Sequence, residues 1–333
     1  YWKDLNLIRK LISQLINAKP EEIAFLINTS SGTNLIARLM NNGEILYPKD
    51  EFPASIHIFK RLGFICKKIN PQPNNCYSIE DFKKSINNTT KILIQSHVQY
   101  LTGFRQDLKK FGDFCTDNNL INIINATQSF GAFNIDVKKQ NIDILACSAL
   151  KWACCGYGIG ILYLKQELLK EDMLPFTSWL STEDPFLMDN ENLNLILEAR
   201  SMDGLGGTPN FPALLTLKGF YELLKEIGKG NIQEGVNQIS KRILYLTNEF
   251  LTRIKELNLK IITPTSIKYR SGIITVENDK AETIYYNLLK NHIYISLRNQ
   301  PNNTKKTLLR FSFHYYNNLN DIEKTIKILK KLV

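Results

Sequence analysis

Short apolar runs alternate with segments of helical period from about residue 23 to residue 228. The runs predict strands over 23–27, 44–47, 64–69, 91–95, 121–125, 142–147 and 159–164. Between most of them, apolar residues recur at three- and four-residue spacing, as over 53–62, 78–87 and 106–118, and predict helices. Alternation of this kind implies βαβ crossovers and a mostly parallel sheet covered by helices. Seven strands are too many for a small domain, so the pattern predicts one large α/β domain over 23–228, preceded by a helix within 1–22. A helix over 208–227, with Pro209 in its first turn, closes that domain. After the break at Gly228-Lys-Gly230 the pattern changes. A long helix over 232–257 leads to strands at 259–263, 272–276, 294–298 and 308–313 and helices at 281–291 and 320–332, a small α+β domain over 229–333.

Composition narrows the class. A chain of 333 residues, 44% of them hydrophobic, has enough apolar material for a sizeable core. No apolar run approaches the roughly 18 residues that a membrane span needs, and no signal peptide opens the chain, so a soluble cytoplasmic protein is expected. The six cysteines lack framework spacing and lie mostly in apolar runs, as reduced, buried thiols do. Cys154 and Cys155 are adjacent rather than in a CxxC pair, and no metal site is expected. The formal charge of +10 favours anionic ligands in general. Its lysines are spread along the chain and no nucleic-acid module is legible, so neither nucleic acid nor a membrane is expected as a partner.

In an open parallel sheet, ligands bind beyond the carboxyl ends of the strands. Three of the predicted strands end in polar residues: Ser96-His97, Asn125-Ala-Thr-Gln128, and Ser148-Ala-Leu-Lys151. A lysine just past a buried strand is either an imine-forming amine in low dielectric or a snorkelling surface residue, and spacing alone leaves both open. Gly156-Tyr-Gly158-Ile-Gly160 looks like part of a dinucleotide fingerprint, but its glycines precede a strand rather than follow one, so that reading fails.

Taken together, residues 122–136, 142–152 and 156–160 resemble the class V aminotransferase family, which uses pyridoxal 5′-phosphate (PLP) on the type I fold and includes cysteine desulfurases, kynureninases and isopenicillin-epimerase-like proteins. Asn28-Thr-Ser-Ser31, Ser96-His97, Thr102-Gly103, the run from Gly206 to Asn210, and the run from Leu309 to Asn317 follow in family order over nearly the whole chain. The resemblance implies that Lys151 forms the Schiff base with PLP. It implies that His97 stacks on the ring and moves protons, and that Gln128 bonds the phenolic oxygen. Ser30, Ser31 and Ser148 become phosphate contacts, and Thr208 a contact supplied to a neighbouring subunit, hence a homodimer. Arg310, with Arg298 as a weaker second, is placed where the substrate carboxylate is gripped, a task suited to a planar fork.

Three departures bear on activity. The family normally has Asp where Asn125 stands, facing the pyridine nitrogen, and a neutral amide weakens the electron sink that transamination leans on. Leu150 replaces a histidine that often precedes the lysine. The segment that usually helps close the substrate pocket is missing before Tyr1, as in a trimmed chain or an excised domain. Cysteine desulfurases also carry a mobile cysteine in the loop that corresponds to residues 299–306, where this chain has none. The expectation is a PLP enzyme acting on an amino acid or amine by transamination or related lyase or epimerase chemistry. A cysteine or cystine C–S lyase that needs no catalytic thiol is one alternative. A non-catalytic PLP-fold binding or regulatory subunit is the other.

Overall fold

A computed structural model describes residues 1–170, 174–205, 207–300 and 303–333. The chain divides into two compact units: residues 1–69, 79–97 and 107–237, and residues 70–78, 98–106 and 238–333.

The first unit opens with α1 (Trp2–Ile16), whose buried stripe of Leu5, Ile8, Ile12 and Leu15 repeats at helical spacing. Asn17 ends it in the left-handed region, at φ 58°. Then come β1 (Ile23–Leu26), α2 (Thr29–Leu39), β2 (Glu44–Pro48), α3 (Pro53–Arg61), β3 (Ile65–Ile69), α4 (Ile79–Lys83), β4 (Thr90–Ser96), α5 (Leu108–Asp117), β5 (Ile121–Asn125), β6 (Ile144–Ser148) and β7 (Gly160–Leu164). The seven strands form one sheet in the order β1-β7-β6-β5-β4-β2-β3. The neighbours from β3 to β6 are parallel, whereas β6–β7 and β7–β1 are antiparallel, so the expected mostly parallel α/β sheet is present. β1, β2, β6 and β7 are buried at every position, which is why they read as unbroken apolar runs. Leu26, Ile36, Ile45, Phe59, Ile94, Ile123, Ile144 and Leu162 share a core between sheet and helices.

Residues 166–205, where the sequence pattern predicts no element, hold short 3-10 turns at Gln166–Leu168, Trp179–Ser181, Pro185–Leu187 and Ala199–Leu205. From the last turn, Asp203 reaches the buried guanidinium of Arg9, which also donates to the Ile23 carbonyl and lies over the Phe25 ring at 5.1 Å. The next helix, α6 (Phe211–Ile227), begins three residues later than expected. Asn210 accepts from the Ala213 N–H as its cap, and Pro212, not Pro209, stands in its first turn.

α7 (Ile232–Ile254) begins in the first unit, and the boundary falls at 237/238, inside this helix rather than ahead of it at 229. The second unit continues with β8 (Lys260–Ile261), β9 (Ile273–Glu277), α8 (Ala281–Lys290), β10 (Ser296–Gln300), β11 (Asn303–Ser312) and α9 (Leu319–Leu332). Its four strands form an antiparallel sheet in the order β10-β11-β9-β8. Phe250, Ile274, Val276, Leu309, Phe311, Ile322 and Ile326 make its core. Within this unit Gly103 sits at φ +72°, and a Cβ there would lie 2.3 Å from the Ile273 carbonyl oxygen, so glycine is required. Among the described residues, no helix is long and apolar enough to cross a membrane.

Candidate active site

The carboxyl ends of β4, β5 and β6 lie side by side, because Ser96 pairs with Asn125 and Asn125 with Ala146. Two polar networks stand at this edge of the first unit.

One gathers around the start of α2. Asn28 caps the helix: its Oδ1 accepts from the Ser31 N–H at 2.9 Å, and the Ser31 hydroxyl donates to the Asn28 carbonyl at 2.7 Å. Ser31 therefore serves its own helix start, while Ser30 is exposed in the first turn rather than ahead of it. The hydroxyls that converge are those of Ser148 and of two residues the sequence reading did not single out, Thr29 and Thr127. The Thr29 hydroxyl lies 2.8 Å from Ser148 Oγ and 2.6 Å from Thr127 Oγ1, and the Thr29 N–H donates to Ser148 Oγ at 2.9 Å. Three hydroxyls beside a helix N-terminus, where backbone N–H groups concentrate positive potential, suit a phosphate. Close approach makes this possible: a Cβ at Gly160 would fall 2.8 Å from the Asn28 Cα. Gly160 thus lets β7 pass under the helix start, and Gly156 and Gly158 sit in the left-handed region at φ +72° and +86°, so the glycines are explained without a dinucleotide.

The second network surrounds Asn125. Its Oδ1 accepts from the Thr127 N–H at 3.0 Å, and its Nδ2 donates to Ser55 Oγ at 3.0 Å. Ser55 donates in turn to Glu51 at 3.1 Å, and Glu51 also accepts from the Ser96 N–H and hydroxyl and from the Phe52 N–H. Burial pushes the Glu51 carboxyl up, opposed by these hydrogen bonds. Phe52, at the head of α3 beside this network, is 45% exposed.

His97 stands directly after the last residue of β4, at the same carboxyl edge. Its backbone N–H donates to the Asn125 carbonyl at 3.0 Å, the residue is buried, and its ring meets Phe133 edge-on at 6.2 Å.

Lys151 is half-buried on the connection from β6 to β7, three residues past the strand end. Its carbonyl accepts from the Cys154 N–H at 3.3 Å, where the chain turns through φ 54°. Trp152 Nε1 donates to the Gln128 carbonyl at 2.8 Å, tying the segment that carries Lys151 to the one that carries half-buried Gln128. Burial raises the Cys147 thiol, and raises Cys155 to about 12, so both stay protonated and inert near neutrality. Among the described residues no cluster of three or more His, Cys, Asp or Glu could hold a metal. Thr208 is exposed ahead of α6; Gly206 lies outside the described residues.

The arginines stand in the second unit. Arg310, on β11, donates to the Tyr100 carbonyl at 2.8 Å and to Ser296 Oγ at 3.2 Å. Burial, reinforced by the like charge of Arg298, pushes its guanidinium down to about 10. Among the described residues no carboxylate pairs with it. Arg298 is exposed and donates to the Leu297 carbonyl. Of the cysteine-free segment 299–306, Pro301 and Asn302 lie outside the described residues.

The family model described as aminotransferase class-V matches residues 2–325. A probable cysteine desulfurase of Pyrococcus abyssi is 25% identical over 98% of this chain and 82% of its own length. The uncharacterized aminotransferase YcbU of Bacillus subtilis is 22% identical over 96% and 81%. The apo structure of a cysteine desulfurase from Thermococcus onnurineus NA1 matches with a TM-score of 0.85 at 22% identity, covering 99% of this chain and 84% of that one. The cystine C–S lyase C-DES, solved in complex with its reaction product cysteine persulfide, matches with a TM-score of 0.84 at 18% identity, covering 98% and 86%. These structural likenesses carry the fold.

Proposed function

Because the chain belongs to the class V aminotransferase family, we propose that it acts on a small α-amino acid, with PLP held at the carboxyl edge of the seven-stranded sheet. When bound, the cofactor supplies an electron sink for negative charge developing at the substrate Cα. The rest falls to the chain. Thr29, Thr127, Ser148 and the first N–H groups of α2 hold the phosphate. Lys151 supplies the anchoring amine and the base that takes a proton from Cα. Gln128 bonds the ring's phenolic oxygen, Asn125 faces the ring nitrogen, and His97 stacks on the ring and moves protons. Arg310 grips the substrate carboxylate as a two-pronged donor, with Arg298 adding field. Exposed Thr208 reaches the phosphate of a second copy, so the working form is a cytoplasmic homodimer.

The observation that carries this reading is the convergence of three hydroxyls on a helix N-terminus next to the strand that delivers Lys151. The test is the visible spectrum of the protein incubated with PLP. A band absent from Lys151→Ala, and shifted by one member of an amino-acid panel, is expected; no band in the unmodified protein sinks the assignment. A band that no amino acid shifts, with turnover equally absent from the unmodified protein and the variant, points instead to a binding or regulatory subunit.

Within this chemistry, C–S bond cleavage in cysteine or cystine is the favoured subtype. Three of the proteins compared above are named for sulfur chemistry, and segment 299–306 lacks a cysteine to accept sulfur, which favours release of sulfide or persulfide over transfer to the protein. For cysteine the products are pyruvate, ammonia and sulfide, with one water consumed. Sulfide and pyruvate in equal amounts from cysteine support it, and a keto acid formed without sulfide favours transamination.

A further inference from the structure

We propose that Glu51 provides the negative charge at the ring end of this site, acting as a positioning residue through Ser55 and Asn125. This rests on the reading above that PLP occupies the site and that Asn125 faces its ring nitrogen.

Hydrogen-bond direction carries the inference. The Thr127 N–H can only donate, so the Asn125 atom it meets at 3.0 Å is the oxygen. The other end of the amide is therefore the donor, and it donates to Ser55 Oγ at 3.0 Å. With its acceptor side engaged, the Ser55 hydroxyl turns its proton to Glu51, 3.1 Å away. Glu51 also receives the Ser96 N–H at 2.6 Å, the Phe52 N–H at 3.1 Å and the Ser96 hydroxyl. The two N–H groups can only donate, and the Ser55 hydroxyl, its acceptor side engaged, donates as well; a carboxylate accepts all three together and leaves a site for the Ser96 hydroxyl. A chain of three side chains thus runs from a buried charge to the neutral amide beside the ring. Each bond polarises the next, so the amide carries part of that charge at its oxygen, which keeps a lone pair beyond the one Thr127 uses. Side chains serving packing alone would not need a carboxylate here, since burying one is costly. Only the location of a proton changes: it resides on the ring nitrogen more of the time when Glu51 is ionised.

The experiment is 15N NMR of the protein loaded with PLP labelled at its ring nitrogen, at fixed neutral pH. Glu51→Gln should move the ring-nitrogen resonance toward the unprotonated position, corresponding to about a tenfold loss of proton affinity. Ser55→Ala, which leaves Glu51 in place but cuts the chain, should move it the same way. Adding Asn125→Asp to Glu51→Gln should return it to the protonated side, because the charge is then restored one step closer. An unchanged resonance in Glu51→Gln and Ser55→Ala, with cofactor still bound through Lys151, overturns the proposal alone. No Lys151-dependent visible band in the unmodified protein overturns the cofactor reading and this proposal with it.

Discussion

Two arginines in this chain, Arg9 buried and Arg310 half-buried, are treated in opposite ways. Arg9, in the first unit, has a bidentate carboxylate partner in Asp203, the Ile23 carbonyl and the face of Phe25. Arg310, in the second, has a carbonyl and a serine hydroxyl, with a second arginine nearby lowering its affinity for its own proton. Taking a guanidinium out of water is costly unless an anion compensates. Arg9 has that anion within the fold and serves as structure: it ties α1 to the last 3-10 turn. Arg310 has no such anion among the described residues, which is what the proposed grip on a substrate carboxylate requires. Burial alone therefore does not separate structural from binding charges. Where the compensating charge comes from does.

The sharpest way to break the contrast is to strand Arg9. Asp203→Ala should cost about 3–5 kcal/mol of folding stability, read by urea or thermal unfolding, because an unpaired buried cation remains. A loss under about 1 kcal/mol would make the pair idle. Arg310→Gln should behave in the reverse manner. Unfolding should be unchanged or slightly later, while the KM for a carboxylate substrate rises roughly thirtyfold, about 2 kcal/mol. Equal binding of the amino acid and its carboxamide by unmodified protein would remove Arg310 from the site. The hydroxyl cluster is an intermediate case, partly satisfied within the chain and partly reserved for a ligand. Thr29→Val or Ser148→Ala should each weaken PLP binding about fivefold by equilibrium dialysis, with less effect on unfolding.

The smallest effect is in pH. The folded-state value of Arg310 is pushed below its unfolded value, so above about 10 the unfolded chain holds more protons than the native one. The destabilisation Arg310 contributes is therefore fully present at neutral pH and lifts as pH rises through about 10. Affinity for a carboxylate should fall over that same interval. Binding measured between pH 8 and pH 11 checks the second statement, and Arg310→Gln should flatten it.

Much of this was legible in the sequence, and the exceptions have physical reasons. Strands such as β5 and β7 are buried on both faces and read directly as apolar runs. β6 begins two residues later than the run that marks it, because Ile142 is buried ahead of the strand. The start of α6 was misplaced because Pro209 and Pro212 both suit a first turn, and only the cap from Asn210 decides between them. In the site, Lys151, Gln128 and Ser148 stand out by their place after strands. Thr29 and Thr127 did not, because hydroxyls near a helix start look like caps until a contact across the fold brings them together.

The connection that carries Lys151 has one more consequence. It is closed at its base, where Ser148 pairs with Gly160 and the Ala149 N–H meets the Ile159 carbonyl, and it is pinned at Trp152. None of these fastenings uses the cofactor. The protein should therefore keep its socket when empty and take PLP back without refolding, so that cofactor supply, rather than conformational rearrangement, sets how quickly stored apoprotein returns to work.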